Sequence, residues 1–111
     1  MRVELLFWDG CPSHPKALTD LRQAMVDVAL DPSTVVVREV ETQAGAALEC
    51  FVGSPTIRID GVDVQPPREE PVGLTCRVYR RRDGRISPTP DPADVRDALR
   101  AAQATTTRGN R

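Results

Sequence analysis

Cys11 lies where a single thiol gains most in reactivity, between an apolar run from Val3 to Phe7 and a segment with helical periodicity. A cysteine at a helix start meets unpaired backbone N–H groups and the positive end of the helix dipole, which favour thiolate over thiol. The thiolate is the form that attacks disulfides and binds soft metals. Pro12 suits the first helical turn, because its fixed φ matches a helix and its missing N–H has no partner there. The position therefore predicts a reactive thiol that is at least partly exposed, because a strand-to-helix turn at the carboxyl end of a sheet usually faces solvent.

Three other residues bear on that chemistry. His14, the only histidine, is one helical turn from Cys11 and could share a proton with it, join it as a metal ligand, or simply lie on the helix surface. Cys50 and Cys76 are each expected to be core residues in preference to catalytic ones. A strand beside the one that follows Pro55 could still carry Cys76 toward Cys11. Only geometry decides this, because a disulfide needs Cα atoms within about 7 Å.

The composition favours a soluble globular protein over a nucleic-acid-binding or membrane protein. The chain has 111 residues, 40% hydrophobic and 28% charged, which predicts one soluble domain. A net charge of −1 gives no reason to expect a nucleic-acid partner. We find no membrane-spanning stretch and no cleavable leader, so we expect a cytoplasmic protein without a permanent disulfide framework. Four arginines between 77 and 82 are predicted to be a solvated strand end and turn, with an anionic partner as the alternative.

The order of apolar patterns predicts a mixed α/β domain over residues 1–104 and a flexible tail over 105–111. A helix between two apolar strands is typical of parallel strand pairing. Asp60-Gly61 predicts a tight hairpin turn, and Asp91-Pro92 predicts the start of the last helix. The predicted elements are a strand at 3–7, a helix from about 13 to 30, a strand at 35–40, a short helix at 42–51, a hairpin after Pro55, a strand at 74–79 and a last helix after Asp91.

This order, with a cysteine at the first strand-to-helix turn and a proline opening the third strand, resembles the thioredoxin-like superfamily over residues 2–103. Two segments carry the resemblance: Trp8-Asp9-Gly10-Cys11-Pro12-Ser13-His14 and Gly53-Ser54-Pro55-Thr56. The chain looks most like small bacterial proteins with the sequence Phe-Val-Gly-Ser-Pro-Thr-Ile-Arg-Ile, some labelled alkylmercury-lyase-like. The resemblance implies a three-layer fold, with helices on both faces of a four-stranded mixed sheet.

The resemblance also implies roles for individual residues. Cys11 would be the attacking thiol, and His14 stands where thioredoxins have their second cysteine, so the turn lacks a Cys-x-x-Cys pair. Pro55 would be cis and would expose the backbone of Ser54 to an extended peptide or thiol ligand. Trp8 would pack over the active turn and, with Pro12, complete the substrate-binding surface.

Three functions follow as hypotheses. The first is thiol–disulfide exchange, by a monothiol route or with a resolving thiol from elsewhere in the chain, on a protein or small-molecule thiol or disulfide and without a cofactor. The second is soft-metal handling by Cys11, His14 and Cys76, with organomercurial cleavage as its enzymatic extreme. The third is a redox-silent binding module.

Overall fold

A four-stranded mixed sheet organises the chain, which is described by a computed structural model for residues 1–109, with side chains to residue 104. The sheet order is β2-β1-β3-β4, with β1 parallel to β2 and antiparallel to β3. The parallel first pair and the antiparallel third strand confirm the sequence prediction. The elements are β1 Val3–Phe7, α1 His14–Asp27, a 3-10 turn Pro32–Thr34, β2 Val36–Glu39, α2 Gln43–Glu49, β3 Thr56–Ile59, β4 Val62–Asp63, β5 Tyr79–Arg80, β6 Ile86–Ser87 and α3 Pro92–Gly109.

The central strand β1 divides the core into two layers. Its side chains alternate across the sheet, so Leu5 and Leu6 are both fully buried but belong to different apolar clusters. The larger cluster packs α1 and α3 against one face, through residues such as Leu21 and Leu99. The smaller cluster packs Ala46 of α2 and its neighbours against the other face. Helices therefore cover both faces, as predicted.

The helix after the first strand begins later than predicted. Its N-cap is Ser13 and its first residue is His14, so Cys11 and Pro12 belong to the preceding turn. Pro15, and not Pro12, occupies the first helical turn, where a missing N–H has no consequence. Two prolines in this segment suit a first turn, and the pattern alone did not decide between them.

A long segment between β4 and α3, residues 64–91, departs most from the predicted pattern. The strand expected over 74–79 forms only at Tyr79–Arg80, which pairs with Ile86–Ser87 as a separate hairpin. Cys76 instead forms an isolated parallel bridge with Ser54. The Gly73 N–H of this segment donates to the Phe51 carbonyl at 3.0 Å, so the segment also reaches the residues that follow α2.

The last helix starts as predicted and ends later. The Asp91 carboxylate accepts a hydrogen bond from the Ala93 N–H at 3.0 Å, which is the expected cap. The helix continues to Gly109, past the predicted start of a tail at residue 105, and residues 110–111 lie outside the described residues. In the part of the chain that the structure describes, no helix is both long and apolar enough to cross a membrane.

Candidate functional site

The Cys11 thiol is buried within the turn between β1 and α1. The Cys11 N–H donates to the Trp8 carbonyl at 3.0 Å, which closes the turn. The side chain points inward, is 1% exposed, and donates from Sγ to the Ser54 carbonyl oxygen at 3.4 Å. We had expected a partly exposed thiol at the helix start. That expectation was wrong, because another segment of the chain covers the turn.

The loop that approaches Cys11 carries a cis peptide bond between Ser54 and Pro55, as the resemblance predicted. The Pro55 carbonyl accepts a hydrogen bond from the Tyr79 hydroxyl at 2.5 Å. Burial is the main influence on Tyr79 and raises the pKa of its phenol, so the hydroxyl remains a donor. The cis loop is thus held from below by a fully buried aromatic residue of the 64–91 segment.

The backbone of Ser54 is not open to an external ligand. Its N–H donates to the Thr75 carbonyl, and its carbonyl accepts from the Arg77 N–H, both at 2.8 Å. Residues 75–77, which we call the docked segment, therefore pair with Ser54 as a parallel strand would. The expectation that Ser54 offers a free backbone to a peptide was wrong, because the chain itself occupies that position. Cys76, at the centre of the docked segment, lies directly beside Ser54.

Gly53 permits this close approach. A Cβ atom built on Gly53 would lie 2.9 Å from the Arg77 Cβ and 3.0 Å from its Cα. The residue also has a φ of +143°, which side-chain-bearing residues rarely adopt. A glycine before the Ser-Pro pair is therefore required for the docked segment to reach Ser54.

Arg77 fixes the docked segment to the body of the domain. Its guanidinium pairs with Asp63 of β4 at 2.6 Å, donates to the Thr56 hydroxyl at 3.2 Å and also to the Gln65 carbonyl. The cation lies 4.6 Å from the centre of the Tyr79 ring. A buried charge is tolerated only when it is paired and hydrogen-bonded in this way. Arg77 is thus a structural anchor and not part of the solvated cluster that the sequence predicted.

The thiols of Cys11 and Cys76 interact. Burial is the largest influence on Cys11 and opposes its ionisation, but hydrogen bonds from Cys76, Ser13 and Ser54 together outweigh it and lower the pKa of Cys11. The same interaction with Cys11 raises the pKa of Cys76, because that thiol gives up its proton less readily beside a second sulfur. The first thiol to ionise is therefore Cys11, and the neighbouring Cys76 proton stabilises it.

The Ser54 hydroxyl adds to this environment. It is fully buried and, among the described residues, is the one buried side-chain oxygen or nitrogen atom without a hydrogen-bond partner. A buried hydroxyl without a partner is costly, so such a group indicates a state in which the hydroxyl is used. Donation to an ionised Cys11 sulfur would supply that partner, in agreement with the contribution of Ser54 to the lowered pKa of Cys11.

The other two cysteines are not core residues. Cys50 and Cys76 are both exposed free thiols, so the prediction that each packs in the core was wrong. Cys50 ends α2 in a left-handed conformation with φ of 53°. Of the two, the structure brings only Cys76 to Cys11, along the route that the sequence left open.

The turn is surrounded by His14, Trp8 and Pro12. None of these three side chains, all within the described residues, forms a hydrogen bond with the Cys11 sulfur. The His14 ring donates from Nδ1 to the Cys11 carbonyl at 3.1 Å and stacks on Phe7, with ring centres 4.2 Å apart. Its contact with Cys11 is therefore through the backbone. Trp8 packs against the smaller apolar cluster beneath the turn, and Pro12 is exposed.

The described residues contain no group of three or more histidine, cysteine, aspartate or glutamate side chains placed to hold a metal ion. Cys11, His14 and Cys76 therefore do not form the three-ligand site of the metal hypothesis. In comparisons with known proteins, no protein family, curated protein or solved structure matches this chain.

Several residues of the site had no individual role predicted from the sequence. Gly53, Asp63 and Tyr79 act through long-range contacts, and Arg77 reads as one more member of an exposed cluster. The local pattern even pointed the other way: Cys76 and Val78 alternate with Arg77 and Tyr79, which predicts Cys76 and Val78 on the core side, whereas Arg77 and Tyr79 are the buried pair.

Proposed function

We propose that this protein is a thioredoxin-like thiol–disulfide exchange protein that uses Cys11 and Cys76 as its redox pair. The observation that carries the proposal is that two free thiols meet at Ser54: the Cys11 Sγ donates to the Ser54 carbonyl at 3.4 Å, and Cys76 forms the backbone bridge with Ser54. The lowered pKa of Cys11 and the raised pKa of Cys76 support it. A thiol pair with divided acidity provides one nucleophile and one protonated partner at the same pH.

The strand topology also supports a thiol–disulfide exchange function. A central strand flanked by one parallel and one antiparallel neighbour, with the cysteine turn after that strand and the cis-proline before the third, is the arrangement that the resemblance implies. The second thiol comes from the 64–91 segment and not from the cysteine turn. It takes the role that the missing cysteine of a Cys-x-x-Cys pair would have had.

The exchange proceeds through a mixed disulfide and transfers two electrons. A thiolate of the pair attacks an external disulfide, forms a mixed disulfide and releases one partner thiolate. The second thiol of the pair then attacks the protein sulfur of the mixed disulfide and releases the other partner thiolate. The external disulfide gains two electrons, and the protein retains a new Cys11–Cys76 bond. Such exchange suits a compartment with a reducing thiol pool, and we place the protein in the cytoplasm on that basis.

The test is redox titration. Protein carrying Cys50→Ser is equilibrated with mixtures of reduced and oxidised dithiothreitol, quenched with an alkylating reagent and analysed by mass spectrometry. We expect both remaining thiols to disappear together, with Cys11 and Cys76 in one linked peptide after digestion. Two thiols that stay reduced across the whole titration would refute the proposal and favour a redox-silent binding module.

Soft-metal binding is a second candidate, favoured by the same adjacency of two thiols. Two thiolates suffice for a linear cuprous or mercuric site, which needs no third ligand. Titration of the reduced protein with cuprous ion tests this. Loss of both thiols from alkylation at one equivalent of metal, abolished in Cys76→Ala and retained in Cys50→Ser, would support it.

A further inference from the structure

The outer face of the docked segment and the strand that follows it presents three different chemical groups in a row. From residue 76 to residue 80 the chain is extended, with Arg77 and Tyr79 buried and the alternate residues exposed. Side chains at every second position of an extended segment point the same way, about 7 Å apart. The exposed face therefore carries a thiol at Cys76, an apolar side chain at Val78 and a cation at Arg80.

A groove runs along this face. One cavity of about 430 Å³ is lined by Cys76, Val78 and Arg80, and an adjoining cavity of about 720 Å³ shares Arg80 and adds Arg68. Val78 is 61% exposed, and Ile86, opposite Arg80 in the hairpin, is 70% exposed. The apolar part of the groove thus lies between the thiol and the arginines.

The arginines of the groove differ in how they are neutralised. Arg82 is paired with Asp94 and Asp97. In the described part of the chain, no ion pair is recorded for the side chains of Arg68 and Arg80. Glu70 also lines the groove, but its carboxylate accepts hydrogen bonds from the backbone, including the Arg68 N–H at 2.8 Å. An acidic ligand would therefore find two cations available.

We propose that this groove binds an acidic peptide that carries the exchanging cysteine, and that the mixed disulfide with this peptide forms on Cys76. The peptide would place its cysteine at Cys76, an apolar residue two positions away at Val78 and Ile86, and a carboxylate two positions further at Arg80 and Arg68. An extended chain is the occupant that matches a row of groups at every second residue, since its own side chains repeat at that spacing. The inference rests on the proposed function and adds its substrate class.

Two properties favour Cys76 as the sulfur that the peptide thiolate attacks: Cys76 is exposed, and Cys11 is the better leaving group. In the structure, which has both thiols free, Cys11 is covered by the docked segment, whereas Cys76 is exposed. Attack on Cys76 also expels Cys11, whose lowered pKa makes it the better leaving thiolate.

The exchange with the peptide takes place in two steps, through a mixed disulfide on Cys76. A peptide thiolate forms a bond to the Cys76 sulfur, the Cys11–Cys76 bond breaks, and Cys11 leaves as thiolate. A second peptide thiolate attacks the peptide sulfur of the mixed disulfide, and the Cys76 thiolate that is released takes up a proton. Two peptide thiols are oxidised to a disulfide, and the protein is reduced by two electrons.

The experiment uses the oxidised full-length chain with Cys50→Ser and two synthetic peptides. Both have the order cysteine, spacer, leucine, spacer and a charged residue, which is glutamate in one and lysine in the other. The rate of mixed-disulfide formation is measured by acid quenching and mass spectrometry. Each exposed charge pair changes affinity by a few-fold, so two of them predict about a tenfold advantage for the acidic peptide at low salt, declining as salt is added.

Charge reversals provide the control. Arg68→Glu with Arg80→Glu is expected to favour the basic peptide, while Arg22→Glu with Arg100→Glu changes the net charge equally on α1 and α3 and should leave the acidic preference in place. Equal rates for both peptides, or a peptide attached to Cys11, would overturn the inference even though the Cys11–Cys76 disulfide forms. Mercaptosuccinate reacting as fast as the acidic peptide would overturn the assignment of a peptide. Absence of the disulfide itself would instead refute the proposed function.

Discussion

Replacing Gly53 with alanine should separate the two thiols without altering either of them. The new Cβ would lie 2.9 Å from the Arg77 Cβ and 3.0 Å from its Cα, and one of these contacts involves backbone that cannot rotate away. The substitution also forces a φ of +143° on a residue with a side chain, which costs about 1–3 kcal/mol. Displacing the docked segment weakens its two hydrogen bonds to Ser54, at about 0.5–1.5 kcal/mol each. We expect the free energy of unfolding to fall by about 2–4 kcal/mol.

The same displacement should change the chemistry of Cys11. Loss of the Cys76 and Ser54 interactions removes two of the influences that lower the pKa of Cys11, so that pKa should rise toward its ordinary value. Urea denaturation measures the stability, and the ultraviolet absorbance of thiolate against pH measures ionisation, both in protein carrying Cys50→Ser. Gly53→Ala should also form the Cys11–Cys76 disulfide more slowly in dithiothreitol titrations.

Gly61→Ala is the matched control. Gly61 has a φ of +81°, but no atom lies within 4 Å of the position that its Cβ would take. That variant should lose about 1 kcal/mol from backbone strain alone and keep the Cys11 titration of the parent. If Gly53→Ala loses no more stability than Gly61→Ala and leaves the pKa of Cys11 unchanged, close approach at Gly53 does not position the thiols.

Three further outcomes are expected. Because the pKa of Cys11 is lowered by folding and that of Cys76 is raised, the pair should make stability rise with pH up to the ordinary thiol value of 9.0 and fall above it. Denaturation at a series of pH values, compared with the variant in which both cysteines are alanine, measures this contribution. Asp63→Ala leaves the guanidinium of Arg77 buried without its ion-pair partner and should cost about 3 kcal/mol in a urea denaturation. Tyr79→Phe leaves a buried carbonyl without its donor and should cost about 1–2 kcal/mol, measured in the same way.

Two of these predictions, for Asp63→Ala and for the pH dependence, have a control in the same protein. Asp83 pairs with Arg85 at 3.5 Å on the surface, so Asp83→Ala should cost less than about 1 kcal/mol. A loss of similar size for Asp63→Ala would show that Arg77 does not depend on its partner. A stability difference between the parent and the double alanine variant that does not change with pH would contradict the divided acidity of the two thiols.

The elements with strong local signals could be predicted from the sequence. The apolar runs at β1 and β2, the Asp60-Gly61 turn and the Asp91 cap each depend on residues close together in the chain. Their pairing followed from general rules for strand connections. These rules do not specify how residues 64–91 fold back across the sheet.

The arrangement of the thiols could not be predicted for that reason. Cys11 was expected to be exposed because its turn follows a strand, and it is buried because residues 75–77 cover it. Cys76 was expected in a regular strand and lies instead at a single bridge to Ser54. Both outcomes depend on contacts between residues more than 20 positions apart, such as the Arg77 bond to Thr56, which no local pattern encodes.

The bridge between Ser54 and Cys76 couples the redox state of the two thiols to the stability of the docked segment. Hydrogen bonds at Ser54 hold the segment in place, and the segment supplies the Cys76 interaction that helps to lower the pKa of Cys11. By thermodynamic reciprocity, ionisation of Cys11 strengthens docking by the same free energy by which docking favours the thiolate, and formation of the disulfide would also hold the segment in place. The segment is docked while both thiols are free, so the disulfide would not move it but would suppress the local opening that loosely held segments undergo. The redox state of the two sulfur atoms would then be measurable from the hydrogen exchange rates of backbone amides in and around the docked segment.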